Sequence, residues 1–258
     1  MQSSTLSILA AGLAVGGLLL GLLNFRFLLY PLIPRIIPVK EAKQLELTGP
    51  TLFISDLHLR NGVFKFAEDL RAFVQEEGIS NLVIVGDLFQ SPEDFEAAAE
   101  HGISTLTVLG LDGFAGKAFW ILGSPGHDPE ETDAMDAYSG LVVLGSSAWI
   151  RLGNVKVLGY HGHDLSVVGA FGHGWSRFLD HLGLERLWKR FARVDESSWV
   201  VFGHTHVPGV DGKHLVANCG GWQRIPFLVQ PAGTGILFLP DEFSPKLVRI
   251  MREWRGLR

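Results

Sequence analysis

Cysteine is nearly missing from this chain. Cys219 stands alone among 258 residues, which excludes any disulfide within the molecule and fits a reducing compartment. A basic excess is missing too. With 22 Lys and Arg against 27 Asp and Glu the net charge is −5, so nothing supplies the positive field that a nucleic-acid partner requires. No low-complexity tract and no long fixed repeat interrupts the pattern. At this length, with 47% apolar residues, one domain can bury a full core without covalent staples.

Charge is also absent from Leu6 to Leu23, a run of mostly Leu, Ala, Gly, Val and Ile. An apolar stretch of about 18 residues is long enough to cross a bilayer as a helix. Phe25, Phe27 and Tyr30 follow it and suit a lipid–water interface. No Lys or Arg precedes the run, whereas Arg26, Arg35, Lys40 and Lys43 come after it. That asymmetry predicts a single-pass anchor over residues 1–30, with the bulk of the chain in the cytoplasm. A cleaved signal peptide wants a basic start and a small-x-small site, and neither is evident. A buried core helix would show some polar face over this length. Pro31, Pro34 and Pro38 then predict an extended apolar connector over residues 31–44, with the domain occupying 45–258.

Within the domain, apolar runs end repeatedly in Asp and His. Thr51–Ile54 leads to Ser55-Asp56-Leu57-His58, and Leu82–Val85 leads to Gly86-Asp87. Phe119–Leu122 precedes Pro125-Gly126-His127-Asp128; Val155–Tyr160 precedes His161-Gly162-His163; Trp199–Phe202 precedes Gly203-His204-Thr205-His206. Short β-branched and aromatic runs bounded by Gly read as buried strands. Between them, residues 64–77 carry Phe66, Leu70, Phe73 and Val74 at helical spacing, and Ser91-Pro92-Glu93-Asp94 reads as a helix start. A short helix is expected over Glu130–Tyr138. From residue 141 the strands crowd together, with Gly153-Asn154 as a hairpin signal. The first half is βαβ-like and the second rich in hairpins. The fold class is therefore α/β (α+β): a two-sheet β-sandwich core flanked by helices, behind the N-terminal transmembrane helix.

Strands of one sheet can deliver their end residues to one place, and a shared pocket of Asp and His is a metal site. Asp56 and His58 are two apart, so both point one way from an extended strand end, and a carboxylate with an imidazole suits a divalent transition metal. Asp87 can bridge two ions held about 3.5–4 Å apart. His161, His204 and His206 supply further nitrogens. Such a pair polarises a phosphoryl oxygen and generates hydroxide near neutral pH. His127 is placed to protonate the leaving oxygen or to stabilise developing charge.

The set Asp56-x-His58, Gly86-Asp87, His161 and Gly203-His204-x-His206, in this order, resembles the calcineurin-like metallophosphoesterase superfamily over residues 50 to 240. The resemblance implies a two-sheet sandwich with two divalent metal ions at the strand ends. Asp56, His58, Asp87 and His206 would hold the first, and Asp87, His161 and His204 the second. Asn218-Cys219-Gly220 is similar to the turn that follows the last His pair there. Mn²⁺ suits the mixed O/N donors, and Fe and Zn suit the same set. Two departures stand out. The family's third motif carries an Asn that binds the second metal, whereas this chain reads Gly123-Ser124-Pro125-Gly126-His127-Asp128; either Ser124 takes that place or the Asn is missing. Gln90 stands where the family often has Asp.

Within the superfamily the motifs look closest to the UDP-2,3-diacylglucosamine hydrolase type, which also carries a helical insertion after the His-Gly motif. Residues 164–197 fall in that place and alternate aromatic residues (Trp175, Phe178, Trp188) with basic ones (Arg186, Lys189, Arg190). Their aromatic stripe either packs on the domain or forms a lipid-chain pocket. Arg60 is either a surface residue or a bidentate phosphate donor, and Ser124 stands with it as a candidate substrate-binding residue. His163 and Asp164 lie beside the site or in a solvated loop, and His101, His173, His181 and His214 read as surface or structural. The basic tail with Arg249, Arg252, Arg255 and Arg258 rests on anionic lipid or is a solvated end.

Together these features predict a membrane-anchored dinuclear phosphoesterase that acts on a phosphorylated small-molecule or lipid-linked substrate. The alternatives are the same fold acting on a soluble nucleotide or phosphoprotein, and a non-catalytic metal-binding scaffold.

Overall fold

The structure, a computed structural model, describes residues 39, 42–130, 140–163, 174, 180–223 and 232–251. In chain order these form β1 (Lys43–Leu47), β2 (Thr51–Ile54), α1 (Ala67–Glu76), β3 (Asn81–Val85), α2 (Pro92–Glu100), α3 (Thr105–Val108), β4 (Lys117–Ile121), β5 (Val142–Val143), β6 (Ser147–Leu152), β7 (Val155–Tyr160), α4 (Gly183–Phe191), β8 (Trp199–Phe202), β9 (Gly209–Asp211), β10 (Val216–Asn218), β11 (Thr234–Phe238) and β12 (Lys246–Arg249).

The strands build two six-stranded sheets, ordered β1-β6-β7-β8-β10-β9 and β12-β11-β2-β3-β4-β5. Their central strands are continuous apolar runs because both faces are covered. Side chains alternate across each strand. Phe53, Val83, Val85, Phe119 and Ile121 point between the sheets, where they meet Ile150, Val157, Trp199 and Val201. Leu52, Ile54, Leu82, Ile84 and Trp120 point the other way, under α1 and its neighbours. Leu158, Tyr160, Val200 and Phe202 face α4. The order of layers is helices, sheet, sheet, helix.

Local signals explain where the elements stop. α1 buries Leu70 and Val74 and ends at Gly78, whose φ is +59°. The N–H groups of Gly78 and Ile79 return to the carbonyls of Gln75 (3.3 Å) and Val74 (3.0 Å), which closes the helix with a left-handed glycine. α2 starts at Pro92 after Ser91, but the Ser91 hydroxyl donates to Asp94 (3.1 Å) instead of capping a backbone N–H. Gly153-Asn154 does join β6 to β7, which pair antiparallel from Ser147↔Tyr160 to Leu152↔Val155.

Some elements lie beyond what periodicity can show. β1 begins at Lys43, inside the expected connector, and pairs parallel with β6 (Lys43↔Ala148). α3 and β9 are too short to carry a period. The insertion contributes α4, whose Trp188 stacks on Tyr160 with ring centroids 4.4 Å apart and meets Phe202 edge-on; this aromatic packs on the domain. Among the described residues no helix is long and apolar enough to cross a membrane. The expected anchor (1–30), most of the connector, most of the Glu130–Tyr138 helix, Asp164, His173, Trp175, Phe178 and the tail from 252 lie outside the described residues.

Candidate metal centre

β2, β3 and β4 run parallel, as do β7, β8 and β10, so six strands end at one edge of the sandwich. The loops beyond them stay in register. Asp56 N–H donates to Gly86 O, His58 N–H to Asp87 O and Gly203 N–H to His161 O, each at 3.1 Å. The backbone there is not extended strand. Asp56, His58, Asp87, His204 and His206 have φ of +54°, +48°, +49°, +63° and +56°. This left-handed conformation is uncommon outside glycine and is tolerated best by Asp, Asn and His. It turns each side chain inward where a continued strand would carry it past.

Three groups of donors result, each with one atom per residue within 4.8 Å of the others: Asp56, His58 and His206; Asp87, His161 and His204; and, between them, His58, Asp87 and His127. Asp87 joins the halves. His161 Nε2 lies 3.1 Å from Asp87 Oδ1, and His206 Nε2 lies 3.2 Å from Asp56 Oδ1. Asp56 Oδ1 and His161 Nε2 are buried, and beyond these two close approaches neither has a hydrogen-bond partner among the described residues. Donors about 2.1 Å from one ion are about 3 Å apart at right angles, so these separations match the edges of a coordination shell. The residues fit a metal pair on that ground.

Neighbouring groups orient the candidate ligands. Asp56 Oδ2 accepts from the Ser55 hydroxyl (2.6 Å) and from His204 N–H (3.0 Å), leaving Oδ1 to face inward. His161 Nδ1–H donates to Val85 O (2.8 Å) and His127 Nδ1–H to Gln90 O (2.7 Å), so each presents Nε2 to the centre. Ser124 donates to Asp87 through its backbone N–H (2.7 Å) and its hydroxyl (3.3 Å), although it belongs to none of the three donor groups. Gln223, unremarked in the sequence, donates to His58 O (3.3 Å) and Gln90 Oε1 (3.2 Å).

Electrostatics divides the ring set. Burial opposes charge on His161, but Asp87 and Asp56 overcome it and lift its pKa to about 10. Asp56 likewise outweighs burial at His206 and raises it. Burial brings His58 down to about 4, and burial with His161 brings His204 to about 4. Burial pushes Asp56 up, yet His206 and His161 hold it at about 2. Asp87 lies below the usual carboxylate range, with His161 overcoming its burial. Two imidazoles shifted up and two shifted down therefore share two carboxylates, a site in which metal charge can replace protons.

Sequence reasoning passed over two buried acids. Asp128 accepts four backbone N–H groups, from Gly123 (2.7 Å), Asp87 (2.9 Å), Leu88 (2.9 Å) and Phe89 (3.3 Å), and so ties the loop after β3 to the loop after β4. Burial and the nearby Asp87 raise its carboxyl to about 7. Its position after His127 was the available signal. Glu185, on α4, accepts from Thr205 and Asn218 (2.9 Å each), and burial raises its pKa. Nothing in a charged helical stretch distinguished it. Arg60 is exposed, and His163 is half-buried with its ring 6.1 Å from that of His161. His181 bonds Pro208 O (3.2 Å), His214 pairs with Asp211 (2.8 Å) and His101 bonds Ala97 O (2.6 Å), all structural contacts.

Among solved structures, the chain is similar to YfcE, a phosphoesterase from E. coli, at 17% identity over 78% of this chain and 100% of that one, with a TM-score of 0.43. It is similar to Vps29 from Entamoeba histolytica complexed with Zn²⁺ at 16% identity, covering 78% and 99%, with a TM-score of 0.43. An archaeal phosphodiesterase matches at 12% identity, covering 77% and 98%, with a TM-score of 0.45. No curated protein matches the chain. Residues 51–237 match the calcineurin-like phosphoesterase superfamily domain, and on that match the chain belongs to this superfamily.

Proposed function

We propose that the chain is a dinuclear-metal phosphoesterase that hydrolyses a phosphoester or pyrophosphate bond. The supporting observation is the place of Asp87, with one oxygen 3.1 Å from His161 Nε2 and the other 3.9 Å from His127 Nε2, between two further donor groups. Asp56, His58, Asp87 and His206 hold one ion; Asp87, His161 and His204 hold the other, with Mn²⁺ preferred for the mixed donors and Fe and Zn compatible. When bound, such a pair polarises a phosphoryl oxygen and activates water. The protein's own share is orientation and proton handling. The Nδ1–H bond to Gln90 O fixes the His127 tautomer, so Nε2 carries a proton to the leaving oxygen when the ring is cationic. Arg60, exposed beyond the β2 loop, meets the substrate's outer phosphate oxygens.

The substrate is amphiphilic or lipid-linked, of the kind that the UDP-2,3-diacylglucosamine hydrolase type takes. The uncharged Leu6–Leu23 run supports this, because an anchored domain keeps its site beside the bilayer in the cytoplasm. The test uses the full chain in nanodiscs. Mn²⁺-dependent hydrolysis of a generic aryl phosphodiester is compared between the parent and Asp87→Ala, and then repeated with lipid-linked diphosphates. Loss of about a thousandfold or more in the variant is expected. Equal rates in both, or a parent that takes up no metal, would sink the assignment. A preference for soluble nucleotides would retain the enzyme and remove the lipid substrate.

A further inference from the structure

We infer that Glu185 is a positioning residue of the metal centre, reaching from α4 to hold the Gly203–His206 turn in the shape that aims His204 and His206 inward. The inference rests on reading those two histidines as ligands.

Glu185 is 0% exposed and is the one acidic residue of α4. A buried carboxylate costs several kcal/mol unless its partners are well placed, and α4 already packs through Leu184 and Trp188. An apolar residue at 185 would avoid the cost, so packing alone does not call for an acid. Its partners do. Glu185 Oε1 accepts from the Thr205 hydroxyl and from Asn218 Nδ2, both at 2.9 Å. Asn218 Nδ2 also lies 2.7 Å from Gly203 O and 3.0 Å from Thr205 Oγ1. The four groups form one buried network around a single turn.

That turn needs holding. Thr205 is fully buried between His204 (φ +63°) and His206 (φ +56°), and its N–H doubles back to Gly203 O at 2.7 Å. Two successive left-handed ligands store backbone strain of about 1–3 kcal/mol each, which persists only when surroundings over-determine it. Thr205 is the one residue of the turn whose side chain points away from the donor groups, and Glu185 grips it. The grip has a fixed base. Lys189, one helical turn on, donates to the carbonyls of Ser198 (2.7 Å), His214 (2.8 Å) and Leu215 (3.3 Å), which pins α4 to the segments flanking β8 and β10.

The experiment is calorimetric titration of the full chain with Mn²⁺ alone and with Zn²⁺ alone. Parent, Glu185→Ala, Thr205→Val, the double variant, Glu185→Gln and Leu187→Ala are compared, with far-UV circular dichroism on the chelated proteins. Glu185→Ala and Thr205→Val are each expected to weaken metal binding about 10- to 100-fold, the usual range for a group that orients a ligand. Because both remove the same link, the double variant should bind no more than about threefold weaker than the poorer single. Glu185→Gln keeps an acceptor oxygen and should restore binding to within about threefold. Leu187→Ala, on the exposed face of α4, should leave it unchanged. Should Glu185→Ala not fold, Thr205→Val alone decides. Parent-like affinity in folded Glu185→Ala or Thr205→Val, or additive losses in the double variant, would overturn the inference while leaving the phosphoesterase assignment standing. A parent that binds no metal overturns both.

Discussion

Gly86→Ala isolates what the strand-end architecture demands of its backbone. Gly86 has φ +77°, so an L side chain there carries a left-handed penalty of about 1–2 kcal/mol. Its Cβ would also overlap the His161 ring and stand 2.7 Å from Gly123 Cα. Ordinary contact needs about 3.5 Å, so the ring must retreat by about 1 Å. That movement strains the 2.8 Å bond from His161 Nδ1–H to Val85 O, worth about 1 kcal/mol, and overpacking adds about 1–3 kcal/mol. The total is about 4 kcal/mol. Gly78→Ala separates the contributions, because Gly78 shares the positive φ (+59°) but has nothing within 4 Å of a built Cβ, leaving a cost of about 1 kcal/mol. Urea denaturation of the chelated proteins gives both values, and metal titration of Gly86→Ala should show binding weakened about tenfold or more as His161 leaves Asp87. If Gly86→Ala costs no more than Gly78→Ala, the close approach of ring and backbone does no energetic work and the reasoning fails.

Three further outcomes are expected. His127→Ala should lower kcat by about 10²–10³ with metal content by atomic emission unchanged; metal lost in parallel would make His127 a ligand. Ser124→Ala removes the 3.3 Å hydroxyl contact but keeps the 2.7 Å N–H bond to Asp87, so metal affinity should stay within about threefold of the parent, and a tenfold loss would give the hydroxyl the larger role. Burial raises the Asp211 carboxyl, but bonds from His214 and Arg186 outweigh it and bring it to about 2, below its ordinary 3.8. Such a group adds stability above pH 3.8 that is lost as pH falls through 2. Asp211→Asn should therefore cost about 1 kcal/mol at pH 7 in urea melts and only a small fraction of that at pH 2, and an equal gap at both would refute the linkage.

The sandwich was legible because its central strands are buried on both faces and so read as unbroken apolar runs, with Gly and Asp or His marking where they stop. The same punctuation singles out Asp56, Asp87, His161, His204 and His206, which the structure brings together in donor groups. The parallel pairing of β1 with β6, Lys43 opposite Ala148, was not legible, since it joins segments far apart in the chain with no periodic signal between them. Asp128 and Glu185 were hidden for a different reason. Their function lies in the backbone amides and buried side chains that they receive, and a sequence does not display which N–H groups a fold leaves in need of an acceptor. Asp56 and His58 were expected to share a direction because an extended strand alternates. They converge instead through left-handed residues, which composition permits but does not announce.

The five left-handed candidate ligands have an energetic consequence. At about 1–3 kcal/mol each their summed strain approaches the whole stability of a typical domain, about 5–15 kcal/mol. Asp and His reduce that figure, and the loops are held from outside. Asp128 gathers four N–H groups beside Asp87, Ser55 and His204 N–H fix Asp56, and Asn218 holds Gly203 O. Each restraint comes from a different strand end, so none of the ligand turns can relax alone. The ligand turns are thus held by the protein's own hydrogen bonds, at a cost that the rigid edge of two sheets can bear and a free loop could not.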